Sequence, residues 1–147
     1  MGFRFPLETL LRVRQGLERR EELLLAEANH AVTLRRQQMA QVDGAVAELA
    51  ARRVRQLQSG LSAAEMQFDL LCRSALMDRR QVLEKELAQA QDARARRQQA
   101  FYRARQQREV LDTLRNHQQE DFREQDSRNQ QRQFDELFLR RAHRQHG

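Results

Sequence analysis

Tryptophan is absent, and proline, cysteine and tyrosine occur once each, as Pro6, Cys72 and Tyr102. Each shortage excludes something. A lone cysteine allows no intramolecular disulfide, so no covalent staple holds the chain. Aromatics make up 5% of the residues, too few large side chains to fill a globular core to native density. No apolar run approaches the roughly 18 residues of a membrane-spanning helix, and the start lacks the pattern of a secretory leader. A soluble, cytoplasmic protein without direct membrane insertion is expected. There is no glycine-rich phosphate loop, no Cys/His metal spacing and no nucleophile motif. His143 and His146 are three apart, but no third or fourth ligand stands near them. No catalytic residue, no metal site and no cofactor are expected, and the chain is not expected to be an enzyme.

What is present points to helix. Ala, Leu, Glu, Gln and Arg dominate, all residues that tolerate or favour helix. Charged residues are 33% of the chain and hydrophobic ones 39%. That balance is too polar for a packed globule, but a two-helix seam needs apolar residues at only two positions in seven. Disorder is the competing reading of so much charge. Two features oppose it: both signs are mixed along the chain, and leucines recur at helical spacing. Frayed ends are expected. The net charge is +6 and is carried almost wholly by arginine, Lys85 being the only lysine.

Residues 1–6 read as a lead-in, with Pro6 suited to the first turn of a helix. From Leu7 a helix is expected to about residue 58. Leu10, Leu17, Leu24 and Ala31 recur every seven residues, with Val13, Ala28 and Leu34 around them. The next clear positions are Val42 and Leu49. The eleven-residue step from Ala31 to Val42 reads as a stutter in the heptad. The strongest punctuation follows at 59–61. Gly60 can take the left-handed conformation that ends a helix, and Ser62-Ala-Ala-Glu65 matches a capping box. A stop and a start this close imply an antiparallel hairpin. The second helix is expected over about 62–143. Leu76, Leu83, Leu87, Ala90, Phe101, Ala104, Leu111 and Phe122 form its seam, shared with Arg80, Arg94, Arg97, Arg108 and Arg115. The fold is therefore all-α, one coiled-coil hairpin over 1–147 whose second helix is the longer. Folding about Gly60 sets Leu7 opposite the region of Leu114, and about 25–30 residues then project beyond the first helix. That projection carries Phe134, Leu137 and Phe138, and an unpaired apolar stripe on a lone helix seeks a partner.

Three features bear on binding. The stretch Arg94–Arg108 holds Arg94, Arg96, Arg97, Arg103, Arg105 and Arg108 and no acid. It reads as a solvated face, as a contact for an acidic protein surface, or as a phosphate contact with Phe101-Tyr102 stacking on bases. The arginines spread around the helix rather than along one stripe, which disfavours nucleic acid. Phe68 and Leu71, facing the neighbourhood of Val46, Leu49 and Val54, either close the tip of the hairpin or offer a partner site. Phe3 and Phe5 either staple the first turn or dock onto the second helix near Leu114–Gln118. A generic coiled-coil scaffold or chaperone and a basic helical nucleic-acid binder remain competing readings.

The opening Phe3-x-Phe5-x-Leu7-Glu8-x-Leu10-Leu11-x-Val13-Arg14, with the Glu18–Glu27 stretch after it, resembles the start of FliJ-family proteins. The ending Arg128-x-x-Gln131-x-x-Phe134-Asp135-Glu136-x-x-x-Arg140-Arg141-Ala142 is similar to that family's close. The resemblance covers both ends and the two-helix layout. It implies a soluble component of the flagellar type III protein-export apparatus, shaped like the central stalk of rotary ATPases, with relatives in virulence-type secretion. The implied partners are the hexameric ring of the export ATPase FliI, the export-gate protein FlhA, and empty export chaperones. It implies a peripheral place at the cytoplasmic face of the inner membrane, reached through protein partners. By the same resemblance, Phe5, Leu7, Leu10, Leu11, Phe134, Leu137, Phe138, Arg140 and Arg141 are candidates for the ATPase contact. Val42, Val46, Leu49, Phe68 and Leu71 are candidates for the gate. The first helix lacks the tyrosines that relatives carry there.

Overall fold

The computed structural model describes residues 2–147. Among them are two helices and no strand, α1 at Glu8–Ser59 and α2 at Ala63–Gln145. The helices pair as an antiparallel hairpin, and α2 is the longer.

Local chemistry accounts for each helix end. The Leu11 amide donates to the Leu7 carbonyl at 2.9 Å, so α1 begins after Leu7 and Pro6 stands in the turn before it. That differs from the first-turn position expected for the proline. Gly60 has φ 88°, the left-handed region that a side chain resists, and α1 stops there. The capping box then forms in both directions. The Glu65 amide donates to Ser62 Oγ at 3.2 Å, and the Ser62 amide donates to Glu65 Oε2 at 3.3 Å.

The face that α2 turns to its partner is the one its sequence indicates. Leu83 is fully buried, and Leu76, Arg80, Leu87, Ala90, Arg94, Phe101, Ala104, Arg108, Leu111, Arg115 and Phe122 are half-buried. Arg97, expected among them, is exposed.

The face of α1 agrees with the expected one only in part: Leu24, Ala28, Val42 and Leu49 are half-buried, but the rest is shifted. Leu10, Leu17, Ala31 and Leu34 are exposed, and Val13 with them. The covered positions are Leu11, Glu18, Leu25, Val32, Met39, Val46 and Arg53, alternating with Arg14, Glu21, Ala28, Arg35, Val42, Leu49 and Gln56. These two rows repeat every seven residues from Leu11 to Gln56 without interruption, so α1 carries no stutter. The leucines at Leu10 and Leu17 also recur by sevens, but one step earlier, beside the seam. Leu11 and Glu18 occupy the seam positions next to them.

By internal contacts the chain divides into two compact units. One comprises the residues up to Arg19 together with those from Arg103 onward, and the other is Arg20–Tyr102. In the second, Val32 and Leu83 are the buried apolar side chains. Arg80 Nε lies 2.8 Å from Asp43 Oδ1, and Arg35 Nη1 lies 2.9 Å from Glu86 Oε2, close enough for an ion pair although its angles fall short of a hydrogen bond. In the first, Phe5 and Leu11 are buried. Phe3 packs on Phe122 with ring centroids 5.8 Å apart, in the tilted arrangement aromatic pairs favour. The lead-in therefore docks on α2, four residues beyond the expected Leu114–Gln118 region.

Gly44 sits inside α1 with open space where a Cβ would stand. Gly44→Ala should raise stability by about 0.5–1 kcal/mol through helix propensity alone. Gly60→Ala should lower it by about 1 kcal/mol through the left-handed backbone. Thermal unfolding followed by circular dichroism reads both, with opposite signs.

Candidate protein-binding surfaces

The C-terminal part of α2 differs in kind from the rest. After Phe122 every side chain through Arg141 is exposed, and nothing accompanies the helix. The cause is visible in the heptad. Continued past Phe122, the two seam rows would fall on Gln125, Asn129, Arg132, Glu136, Leu139 and His143, only one of them apolar. Apart from Leu139, the apolar residues of this end stand elsewhere on the helix. Phe134 is 68% and Phe138 73% exposed, and Leu137 and Leu139 are exposed too. At about 100° per residue, these four side chains cover roughly 200° of the helix circumference. Asp135 and Arg141 line the same cluster, and Arg140 lies beside it, exposed.

The other residues assigned to that surface by resemblance divide in two. Leu7 and Leu10 are exposed on α1, whereas Phe5 and Leu11 face inward and hold α1 to α2. In the same unit, exposed apolar groups recur along one flank, at Val13, Leu17 and Val110, a feature that the leucine repeat hid by suggesting these residues were core.

Near the turn, Val42, Val46 and Leu49 are half-buried in the seam. Phe68 and Leu71, each 64% exposed, do not close the tip. Asp69, one heptad before Leu76, takes the covered seam position, Cys72 is half-buried beside the seam, and Phe68 and Leu71 fall off the seam rows. A groove lined by Val46, Leu49, Ala50, Val54 and Leu70, with Arg53, Asp69 and Arg73, opens on one flank of this tip.

The arginine stretch is not one patch. Arg96, Arg97 and Arg103 are exposed and make no ion pair among the described residues. Arg94 is half-buried in the seam. Arg105 holds Glu109 at 2.9 Å. Phe101 is half-buried, and the hydroxyl of Tyr102 accepts from Gln98 Nε2 at 3.2 Å, so the two rings form no open stacking platform. Arg108 is fully engaged. Its Nε donates to Glu18 Oε2 at 2.5 Å and its Nη1 to Asp112 Oδ2 at 2.6 Å. Hydrogen bonding to Glu18, and then to Asp112, holds the guanidinium pKa above its ordinary value. Arg108 thus fixes register rather than offering charge to a partner. Next to it Arg14 Nη1 donates to Gln107 Oε1 at 2.6 Å, and Arg115 Nε lies 3.7 Å from Glu8.

None of the helices is long and apolar enough to cross a membrane, and no group of three or more potential metal ligands is found, both among the described residues.

Replacing Arg108 by Met and Glu18 by Gln, singly and together, should give a coupling of about 1 kcal/mol for this partly exposed pair. The coupling should shrink as salt is raised. Denaturant unfolding of the four proteins measures it.

A family model described as "Flagellar FliJ protein" matches residues 3–147, which include the lead-in, both helices and the unaccompanied end. No curated protein and no solved structure matches the chain. The match spans nearly the whole sequence, and the chain therefore belongs to the FliJ family of flagellar proteins.

Proposed function

We propose that this chain is a non-enzymatic stalk of the flagellar type III export apparatus, seated in the ring of the export ATPase and linking that ring to the export gate. Membership of the family supports a role in flagellar protein export. The observation that carries the finer reading is the lone end of α2, with Phe134, Leu137, Phe138 and Leu139 exposed around more than half of its circumference. A groove covers one stripe of a helix. A partner that encircles the helix covers several, and a ring does so. Arg140 and Arg141 add positive charge for acidic groups of the ring, and Leu7 and Leu10 add apolar contact from α1.

The gate contact is proposed at the turn end of the hairpin, where Phe68 and Leu71 project outward. Val42, Val46 and Leu49 support them from the seam and are reached along its flanks. Export chaperones are further proposed partners. Such a protein does no chemistry. It favours the ATPase hexamer by binding it better than the separate subunits, a mass-action effect, and it stays peripheral to the membrane through its partners.

Mixing the chain with its cognate export ATPase tests this reading. The intact chain should raise the ATPase rate and the fraction of hexamer. A chain ending at Phe122 should lose both effects while keeping a folded hairpin by circular dichroism, and Phe138→Asp should weaken them by about tenfold or more. Full activity of the truncated chain would show that the ring is not engaged through this end.

A further inference from the structure

We propose that two copies of this chain associate through one flank of the hairpin, where Leu10, Val13 and Leu17 of α1 lie beside Val110 and Leu114 of α2, arranged antiparallel about a two-fold axis so that each Arg103 meets the other copy's Asp121. All the residues involved belong to the unit built from both ends of the chain.

The apolar part of the surface follows from burial and phase. Val13 is 52% and Val110 67% exposed, and Leu10, Leu17 and Leu114 are also exposed. Each of the five immediately precedes a seam position: Leu11, Arg14, Glu18, Leu111 or Arg115. In an antiparallel helix pair, residues that precede the seam rows fall on the same flank of both helices. The tip of the hairpin displays the rule. Ala45, Arg52 and Cys72, which precede seam positions, line one groove, while Ala50 and Leu70, which follow them, line the other. The contacts Glu8–Arg115 and Arg14–Gln107 bracket the stretch and set Leu10 level with Leu114 and Val13 level with Val110. Five apolar side chains thus form one continuous exposed surface on two helices. A surface of this kind on a polar molecule marks an interaction site.

Charge selects the occupant. The acids within Leu7–Arg19 and Arg103–His117 are Glu8, Glu18, Glu109 and Asp112, and each is paired with an arginine of its own chain. Along α2, two exposed charges on the flank make no ion pair among the described residues: Arg103, one heptad before Val110, and Asp121, one heptad after Leu114. They are opposite in sign and equally far along α2 from Asp112, which is also the midpoint between Val110 and Leu114. The surface is therefore complementary to itself when a second copy is turned end for end. α2 then runs antiparallel to its copy, Val110 meets Leu114, and both ends carry an Arg103–Asp121 pair. That is the self-matching required of an isologous interface. The alternative two-fold arrangement, with the copies not turned end for end, gathers both Arg103 side chains at one end and is disfavoured by like charge. The product is a four-helix layer that covers what the hairpin leaves open.

Sedimentation equilibrium of the full chain over micromolar to submillimolar concentrations tests the proposal. A monomer–dimer equilibrium is expected. Val13→Glu with Val110→Glu should leave a monomer with unchanged helicity by circular dichroism, since both side chains are exposed. Arg103→Glu and Asp121→Arg should each weaken the dimer by about tenfold, two exposed pairs being lost together. The double charge swap should return it to within about threefold of the original. A chain that stays monomeric throughout, a dimer unaffected by the valine substitutions or abolished instead by Phe138→Glu, or a charge swap that does not restore association would each overturn it.

Discussion

The hairpin depends on charges paired across its seam. Apolar residues occupy only part of the two α1 rows; Arg14, Glu18, Glu21, Arg35, Arg53 and Gln56 hold the rest. Such a seam buries too little apolar surface to choose one alignment by itself, because shifting it by a heptad loses little hydrophobic contact. The charged groups make the choice. Glu18 with Arg108, Glu8 with Arg115, Asp43 with Arg80 and Arg35 with Glu86 all require the same antiparallel alignment. A shift by one heptad would set Arg108 against Leu11 or Leu25 and cost it its cross-helix acid; the first shift also leaves Glu18 facing Phe101, half-buried without a cation. Isolated surface ion pairs contribute little stability. Here they supply specificity, which polar groups at coiled-coil core positions are known to do.

The same phase rule decides where pairing ends. α2 supports a partner helix for as long as its seam rows carry mainly Leu, Ala and Phe, with Arg80, Arg108 and Arg115 facing acids of α1 and Arg94, Arg97 and Gln118 as exceptions. Phe122, closed by Phe3, is the last such position. Beyond it the rows turn polar, and the apolar residues move to other faces of the helix. The chain is thus built from a paired region that satisfies itself and a single helix that does not. That division is the physical basis for assigning binding to the helix end.

Much of this was legible in the sequence, and what was not has a common cause. Gly60, Ser62 and Glu65 act through local backbone chemistry, so the turn could be read directly. The α2 face could be read because its apolar residues stand on the seam. The α1 face could be read only in part, at Leu24, Ala28, Val42 and Leu49. Leu10 and Leu17 offered a heptad that served an exposed flank, while Glu18 and Glu21 sat at covered positions that apolar periodicity cannot detect. The cross-helix partner of Glu18, Arg108, is ninety positions away, beyond any local pattern. Phe68 and Leu71 misled in the same way: their size suggested the tip's core, but the heptad gives the covered position there to Asp69. The exposed cluster Phe134–Phe138 was legible because its neighbours along the seam rows are polar. The interface roles assigned to Phe5 and Leu11 could not anticipate that both would be turned inward.

The most direct test of the seam is its geometry in solution. In a Cys72→Ser background, Val32→Cys with Ala90→Cys places two thiols at facing covered positions, and Leu34→Cys with Ala90→Cys moves one of them to the exposed side. Mild oxidation at low protein concentration, read by mobility on non-reducing gels, should close a bond within single chains for the first pair and not for the second. Equal closure of the Leu34 pair, or bonds formed only between chains, would contradict the ion-paired alignment on which the account rests.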